Sequence, residues 1–314
     1  MATQAQPVAR LKVERGNKDV GQSLTKMAIR RLRKDHLTLI AMFVIILMTM
    51  MAIFAPVISD ALGVNPTQTS ADRAFLPLFS SSISRDGTAG THILGTDDLG
   101  RDHLSRLLYA GQVSLAVGFL AAGLAIFIGV SLGITTGFYG GVIDDFVNWL
   151  IGTLTSIPQL FLLLIVASVM PFAGPTALIL VLGLPGWTGT TRLVRGETLS
   201  LREREYIISA RAVGASPLRI MFVHILPNLF SVIVVTLAID IGSLILAEAA
   251  LSYLGLGIKP PTPSWGNMLT GAQAFFVYGI HLVIFPGLMI FITVLCLYIL
   301  GDGFRDAFDP TAKD

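Results

Sequence analysis

Phe146 to Thr191 is a run of 46 residues without one charged side chain. About 20 apolar residues cross a bilayer, so this run is too long for one crossing and must be two helices with a break between them. Met170-Pro171-Phe172-Ala173-Gly174-Pro175 supplies the break. Pro158 and Pro185 are expected to kink the two helices, which a bundle tolerates because neighbours satisfy the freed backbone groups. Composition agrees: 53% of the residues are hydrophobic and 13% charged, against about 25% charged in soluble domains, and the mean hydropathy is +0.73. The expected fold class is all-α, a polytopic membrane protein with six transmembrane helices.

The remaining crossings follow from the same criterion. Leu37 to Ala55 is uncharged and ends at Pro56; further spans are expected over Tyr109–Phe138, about Ile220–Leu246 and about Val277–Leu300. Residues 1–36 form a basic tail and not a cleavable signal; 37–106 hold the first span and a loop of nearly fifty residues; 107–301 are the core; 302–314 are a tail. In the long loop, Gly95-Thr96-Asp97-Asp98-Leu99-Gly100-Arg101-Asp102 reads as a turn before a helix, with Asp97 or Asp98 as the cap. Its aspartates lack the alternating ligand spacing of a calcium loop, so internal Asp–Arg pairing or contact with an outside partner is expected. Gly129, Gly133, Gly137 and Gly141 recur every fourth residue, a spacing that lets helices approach closely in lipid; a glycine-lined path is the second reading. Trp265 reads as an interfacial anchor. Of the 22 lysines and arginines, 17 fall in the two tails and in residues 192–219. That bias places both ends and this loop in the cytoplasm; for the basic N-terminal cluster a lipid or partner site is the alternative.

The most unusual stretch is Arg202 to Pro227, a charged island between apolar runs. Tyr206, Ile207, Ala210, Val213 and Gly214 recur at helical spacing, leaving Arg204, Glu205 and Arg211 toward water. Gly214 can end that helix in a left-handed conformation, and Ser216-Pro217 starts the next as cap and first position. An amphipathic helix–turn–helix offered to water by a membrane protein is a docking surface.

Here the sequence resembles a known family. Ile208-Ser209-Ala210, then Gly214, then Leu226-Pro227 are similar to the EAA loop of binding-protein-dependent ABC transporter permeases, although the family's glutamate falls on Ile208 and its first alanine on Ser209. Three further segments resemble the dipeptide/oligopeptide branch, its C-type subunit: His92 to Asp102, Leu251 to Gly257 with Pro260 to Gly266, and Gly301 to Asp306. The resemblance runs from about residue 30 to the C-terminus. It implies the ABC type I importer permease fold in a prokaryotic plasma (inner) membrane, and a transport subunit that is not an enzyme. It also implies a second permease subunit, two ATP-binding subunits carrying ATP and Mg, and an extracytoplasmic substrate-binding protein. The coupling loop would comprise Glu205, Ile208, Ser209, Ala210, Arg211, Gly214, Ser216, Leu226 and Pro227. Expected cargo is di- or oligopeptides; the same class also carries glutathione, nickel chelates or oligosaccharides.

No chemistry of its own is evident on the chain. It lacks the Gly-x4-Gly-Lys-Ser/Thr loop for ATP, the five histidines (His36, His92, His103, His224, His281) are scattered without metal spacing, and one cysteine, Cys296, permits no intrachain disulfide. No cofactor or metal is expected on this chain, and no nucleic acid as partner. Asp240 and Glu248 fall late in, or just past, the fifth span. Asp240 is expected near the outer boundary with Glu248 beyond it, both as candidates for the translocation path. For Asp240 an interhelical or intersubunit hydrogen bond is the weightier alternative. An ion-gradient-driven secondary transporter is the rival class; it calls for inverted repeats and broken helices around ion ligands, and no convincing repeat is seen.

Overall fold

The computed structural model describes residues 24–83, 89–170, 174–277 and 279–308. In chain order the elements are α1 (Leu24–Leu32), α2 (His36–Ile53), α3 (Ala55–Ala61), β1 (Ser80–Ile83), β2 (Ala89–His92), α4 (His103–Tyr139), α5 (Gly141–Thr155), α6 (Gln159–Val169), α7 (Pro175–Arg202), α8 (Glu205–Ala212), α9 (Pro217–Arg219), α10 (Phe230–Tyr253), α11 (Trp265–Met268) and α12 (His281–Phe308). Between α9 and α10 the chain stays helical through a π turn, Ile220–Ile225, and a 3-10 turn, Leu226–Leu229. Among the described residues five helical stretches are long and apolar enough to cross a membrane, and α5 with α6, bent by 90°, passes the same test as a pair, which makes six if the pair is one broken crossing. The only strands among the described residues are the antiparallel pair β1 and β2, with Ser80 opposite His92.

Several expected boundaries move, for one reason: an apolar run marks the part of a helix in hydrocarbon and misses polar turns held by caps. α4 begins six residues before Tyr109, at His103. Its cap is Asp102, whose Oδ1 accepts from the Ser105 N–H at 2.6 Å, and neither Asp97 nor Asp98. The fifth crossing continues to Tyr253. α12 starts at His281, not Val277. Pro158 breaks its helix rather than kinking it, whereas Pro185 stays inside continuous α7. Residues 171–173 of the expected break, residues 1–23 of the basic tail and residues 309–314 lie outside the described residues.

The core forms where α2, α4, α7, α10 and α12 meet, around Ala121, Leu182, Ile245 and Leu297. α4 and α7 run parallel and almost touch along the predicted small-residue face. A Cβ on Gly129 would lie 2.6 Å from the Thr190 Cβ, one on Gly133 2.7 Å from the Val194 Cβ, and one on Gly137 2.7 Å from the Thr198 Cβ. Gly183 of α7 answers with its own close approach to Ala121 and Leu124. In lipid, where leaving the acyl tails gains an apolar side chain nothing, such contact is what holds helices together. Gly141 is not part of the stripe. With Gly140 it makes the turn after α4, at φ +61° and +65°, and nothing stands within 4 Å of its would-be Cβ.

Alternating directions leave the bundle with two distinct ends. At one end lie the start of α2, the ends of α4 and α12, and α8. There the Arg211 guanidinium sits 5.5 Å over the Phe138 ring and Phe230 meets Phe308 edge-on at 6.2 Å. At the other end lie the β1–β2 pair, the Gly95–Asp102 turn and α11, and the His281 ring hydrogen-bonds the Thr96 carbonyl at 3.3 Å.

Candidate functional site

The segment from α8 to α9 is fixed to the bundle chiefly by Ile207, with Arg211 over the Phe138 ring beside it. Ile207 is fully buried among Ile134, Val194, Ile220 and Ile225, a contact worth about 1.5–3 kcal/mol. The other members of the expected stripe divide. Ala210 is half-buried, but Tyr206 is 45% exposed and Val213 89%, with Ile208 and Leu218 also turned to solvent. One face of α8 was expected to collect Tyr206, Ile207, Ala210, Val213 and Gly214; instead Ile207 anchors, Ala210 is half-buried, and Tyr206, Val213 and Gly214 stand open, with nothing among the described residues covering them. Glu205, Ser209, Arg211 and Ser216 share the exposed surface. Gly214 closes α8 at φ +87°, with its N–H on the Arg211 carbonyl and the Ala215 N–H on Ala210, both at 3.0 Å. Ser216 caps α9, its Oγ accepting from Arg219 N–H at 3.4 Å, and Pro217 takes the first helical position. Leu226 and Pro227 lie in the 3-10 turn that opens α10.

Two arginines stiffen the approach to this segment. Arg195 of α7 grips Asp144 of α5 in a fork, Nε to Oδ1 at 2.5 Å and Nη2 to Oδ2 at 2.6 Å. Arg202 donates to the Gly137 carbonyl at the end of α4, at 3.0 Å. The turn between α4 and α5 is made by Gly140 and Gly141, and Asp144 fastens α5 to α7.

Farther along the bundle, Thr190 Oγ1 of α7 donates to Asp240 Oδ2 of α10 at 3.2 Å, the interhelical bond weighed from the sequence. Asp240 also borders a cavity of about 340 Å3 at the α5–α6 bend, with Pro158, Gln159, Pro185 and Gly189 on its wall. Asp240 thus makes an interhelical bond and borders a cavity. Glu248 lies inside α10, not past its end, and is fully buried. Ser114 Oγ donates to its Oε2 at 2.9 Å and Ser252 Oγ to its Oε1 at 2.7 Å. Those hydroxyls accept in turn from the Trp265 N–H at 3.1 Å and the Ile258 N–H at 3.0 Å. Trp265 is no interfacial anchor: it is 2% exposed, and its Nε1 donates to the Leu107 carbonyl at 3.1 Å. Gly111 and Gly266 leave room for it and for its turn. The sequence held no signal for this node, since it needs α11 to fold back over residues 151 positions away.

In the long loop the Gly95–Asp102 motif forms the expected turn. Asp97 accepts from the Leu99 and Arg101 N–H groups at 3.0 and 2.9 Å and pairs with Arg101 Nε at 2.7 Å and Arg106 Nε at 3.4 Å. Asp102 also holds the ring of His92, Nδ1 to Oδ2 at 2.8 Å. Among the described residues no group of three histidine, cysteine or acidic side chains is placed to hold a metal ion.

The comparisons with known proteins identify the architecture. Residues 129–314 match the family described as binding-protein-dependent transport system inner membrane component, and residues 23–77 match the N-terminal TM domain of oligopeptide transport permease C. The chain belongs to the binding-protein-dependent family of ABC importer permeases. It is 37% identical to the dipeptide transport system permease protein DppC of Haemophilus influenzae over 90% of this chain and 92% of that one. It is 35% identical to the oligopeptide transport system permease protein OppC of Bacillus subtilis over 93% and 91%, and 39% identical to the glutathione transport system permease protein GsiD of Escherichia coli over 90% and 89%. Among solved structures, an inward-facing form of the MetNI methionine ABC transporter superposes at TM-score 0.53, with 21% identity, over 65% of this chain and 96% of that one. That likeness supports the fold. The relatives are permeases, not enzymes, and an importer permease of this family works in a membrane with ATPase subunits and a binding protein.

Proposed function

We propose that this chain forms half of the translocation path of an ATP-driven importer of di- or oligopeptides and is driven through α8, Gly214 and α9. The observation that carries the reading is the exposed apolar tip. Tyr206, Ile208, Val213 and Leu218 face solvent at the end of a helix fixed by Ile207, between Arg204, Arg211 and Arg219. Such a tip fits a groove on a separate ATPase subunit, and α7, tied to α4 and α5 by Arg202 and Arg195, carries the motion into the bundle. Ile208 stands where relatives of the EAA type place a glutamate, so the contact here is apolar, with Glu205 and Arg211 supplying charge beside it.

The partners in this reading are a second permease subunit, two ATP-binding subunits holding ATP and Mg, and an extracytoplasmic binding protein. The described termini and α8 share one end, assigned to the cytoplasm by the concentration of lysine and arginine there. Asp240 faces the path at the α5–α6 bend and meets the amino group or polar backbone of the cargo. Glutathione is the second cargo on the strength of GsiD. The test uses the assembled transporter. Gly214→Val must strain the turn at φ +87° and is expected to abolish uptake and substrate-stimulated hydrolysis while membrane insertion persists. Survival of both activities would sink the coupling role. Asp240→Asn should raise the KM for peptide uptake; an unchanged KM with normal assembly removes Asp240 from the path.

A further inference from the structure

We propose that the cavity at the end of the bundle opposite α8 is a carboxylate-binding site. It encloses about 450 Å3 between the Gly95–Asp102 turn, the first turn of α4 and the chain flanking α11. That volume suits a side chain or a small acid. The inference rests on the reading above in placing this end outside the cytoplasm and in the binding protein offered as one source of the guest.

Two side-chain acceptors on the wall, those of Asp97 and Asn267, are already occupied. Asp97 receives two backbone N–H groups and the Arg101 Nε. Both ends of the Asn267 amide are engaged, Oδ1 by the Ser264 N–H at 3.0 Å and Nδ2 by the Ile258 and Thr262 carbonyls at 3.1 and 2.8 Å. The donors are not. Arg106, 5% exposed, reaches Asp97 Oδ2 and the Pro66 carbonyl, each at 3.4 Å, although a guanidinium has five N–H donors to place. His103, 2% exposed, makes no hydrogen bond at either ring nitrogen among the described residues, and its ring lies against His281 and Phe285. An imidazole carries at least one N–H, so a buried donor there awaits an acceptor. Lys259 is exposed on the same wall.

Charge selects the guest. Arg101, Arg106 and Lys259 face Asp97 and Asp98, leaving one positive charge in excess. A guest with one negative charge and two acceptor oxygens satisfies Arg106 as a fork and takes the His103 N–H beside it. Two sources carry that group: a free acid, such as the C-terminus of a peptide, and an acidic side chain of the extracytoplasmic binding protein.

Two measurements on the purified complex in nanodiscs test this: melting against sodium acetate, with sodium chloride at equal ionic strength as the control, and the affinity of the immobilised complex for its binding protein. A saturable acetate shift, lost in Arg106→Gln and weakened about threefold in Lys259→Gln, supports the site. So does a fall of about tenfold in binding-protein affinity in Arg106→Gln. Competition between acetate and the binding protein assigns the guest to that protein; saturable acetate binding without competition assigns it to a free acid. If neither acetate binding nor binding-protein affinity responds to the substitutions, the site is refuted. Should Arg106→Gln fail to assemble, Lys259→Gln decides alone, because an exposed side chain does not govern folding. A complex that still couples ATP hydrolysis to uptake but shows no response in either measurement refutes the site and leaves the transporter reading intact, so the two failures are distinguishable.

Discussion

The node around Glu248 and the tip around Val213 treat their side chains in opposite ways. At the node every polar group has a partner: backbone N–H groups of Trp265 and Ile258 bond serine hydroxyls, and those hydroxyls bond one fully buried carboxylate. At the tip, large apolar side chains face outward around a single anchor, Ile207. A polar network closed on itself in a low-dielectric interior rigidifies, since each bond lost leaves a costly orphan. An apolar surface left open stabilises nothing until something covers it. On the proposed reading, the difference separates the part of the chain that holds itself together from the part that an ATPase subunit covers.

Substitutions at four positions test that contrast, in falling order of their effect on the chain itself. Glu248→Leu strands the Ser114 and Ser252 hydroxyls in the core and should cost about 3 kcal/mol, read as a lower melting temperature in detergent; Glu248→Gln keeps an acceptor and should cost less. A melting temperature for the leucine variant equal to wild type would mean that the node does not hold its end of the bundle. Gly133→Leu drives a side chain into Val194, where a Cβ alone would lie 2.7 Å away, and should cost about 2 kcal/mol by forcing α4 from α7.

Asp35→Ala removes the cap of α2 and should cost about 1 kcal/mol. The Thr38 hydroxyl, with the Thr38 and Leu37 N–H groups, holds the Asp35 carboxyl below the usual carboxylate range. A depressed value in the folded state means that this contribution is complete above the unfolded-state value and is lost as pH falls through the folded one. Wild type and Asp35→Ala should therefore converge in melting temperature in acid and separate at neutral pH. Val213→Asp should change stability by less than about 0.5 kcal/mol, as an exposed substitution does, yet release the ATPase subunits on co-purification. Retention of those subunits would break the comparison at the tip.

Much of this was legible in the residues. The charge-free run from Phe146 to Thr191 required two crossings, the glycine spacing foretold a close helix contact along α4, and Gly214-Ala215-Ser216-Pro217 foretold a left-handed stop followed by a capped start. These succeed because each depends on groups within a few turns of one another. The misses share the opposite property. Trp265 read as an anchor because tryptophan favours membrane interfaces, but its burial depends on Gly111, Gly266 and the Leu107 carbonyl. The stripe on α8 read as one face because periodicity records which side chains align and not which find a neighbour.

Local pattern and hydropathy by themselves determined that this chain spans a membrane about six times, which helices approach closely, and where a water-exposed helix interrupts the spans. Tertiary structure alone decided that Glu248 is a sealed node, that Asp240 joins a helix contact to a cavity, and that His103 and Arg106 share a wall with donors to spare. Spanning follows from the transfer free energy of consecutive residues, which adds along the chain. Whether a buried polar group is satisfied depends on atoms distant in sequence, and that is settled only when the helices pack.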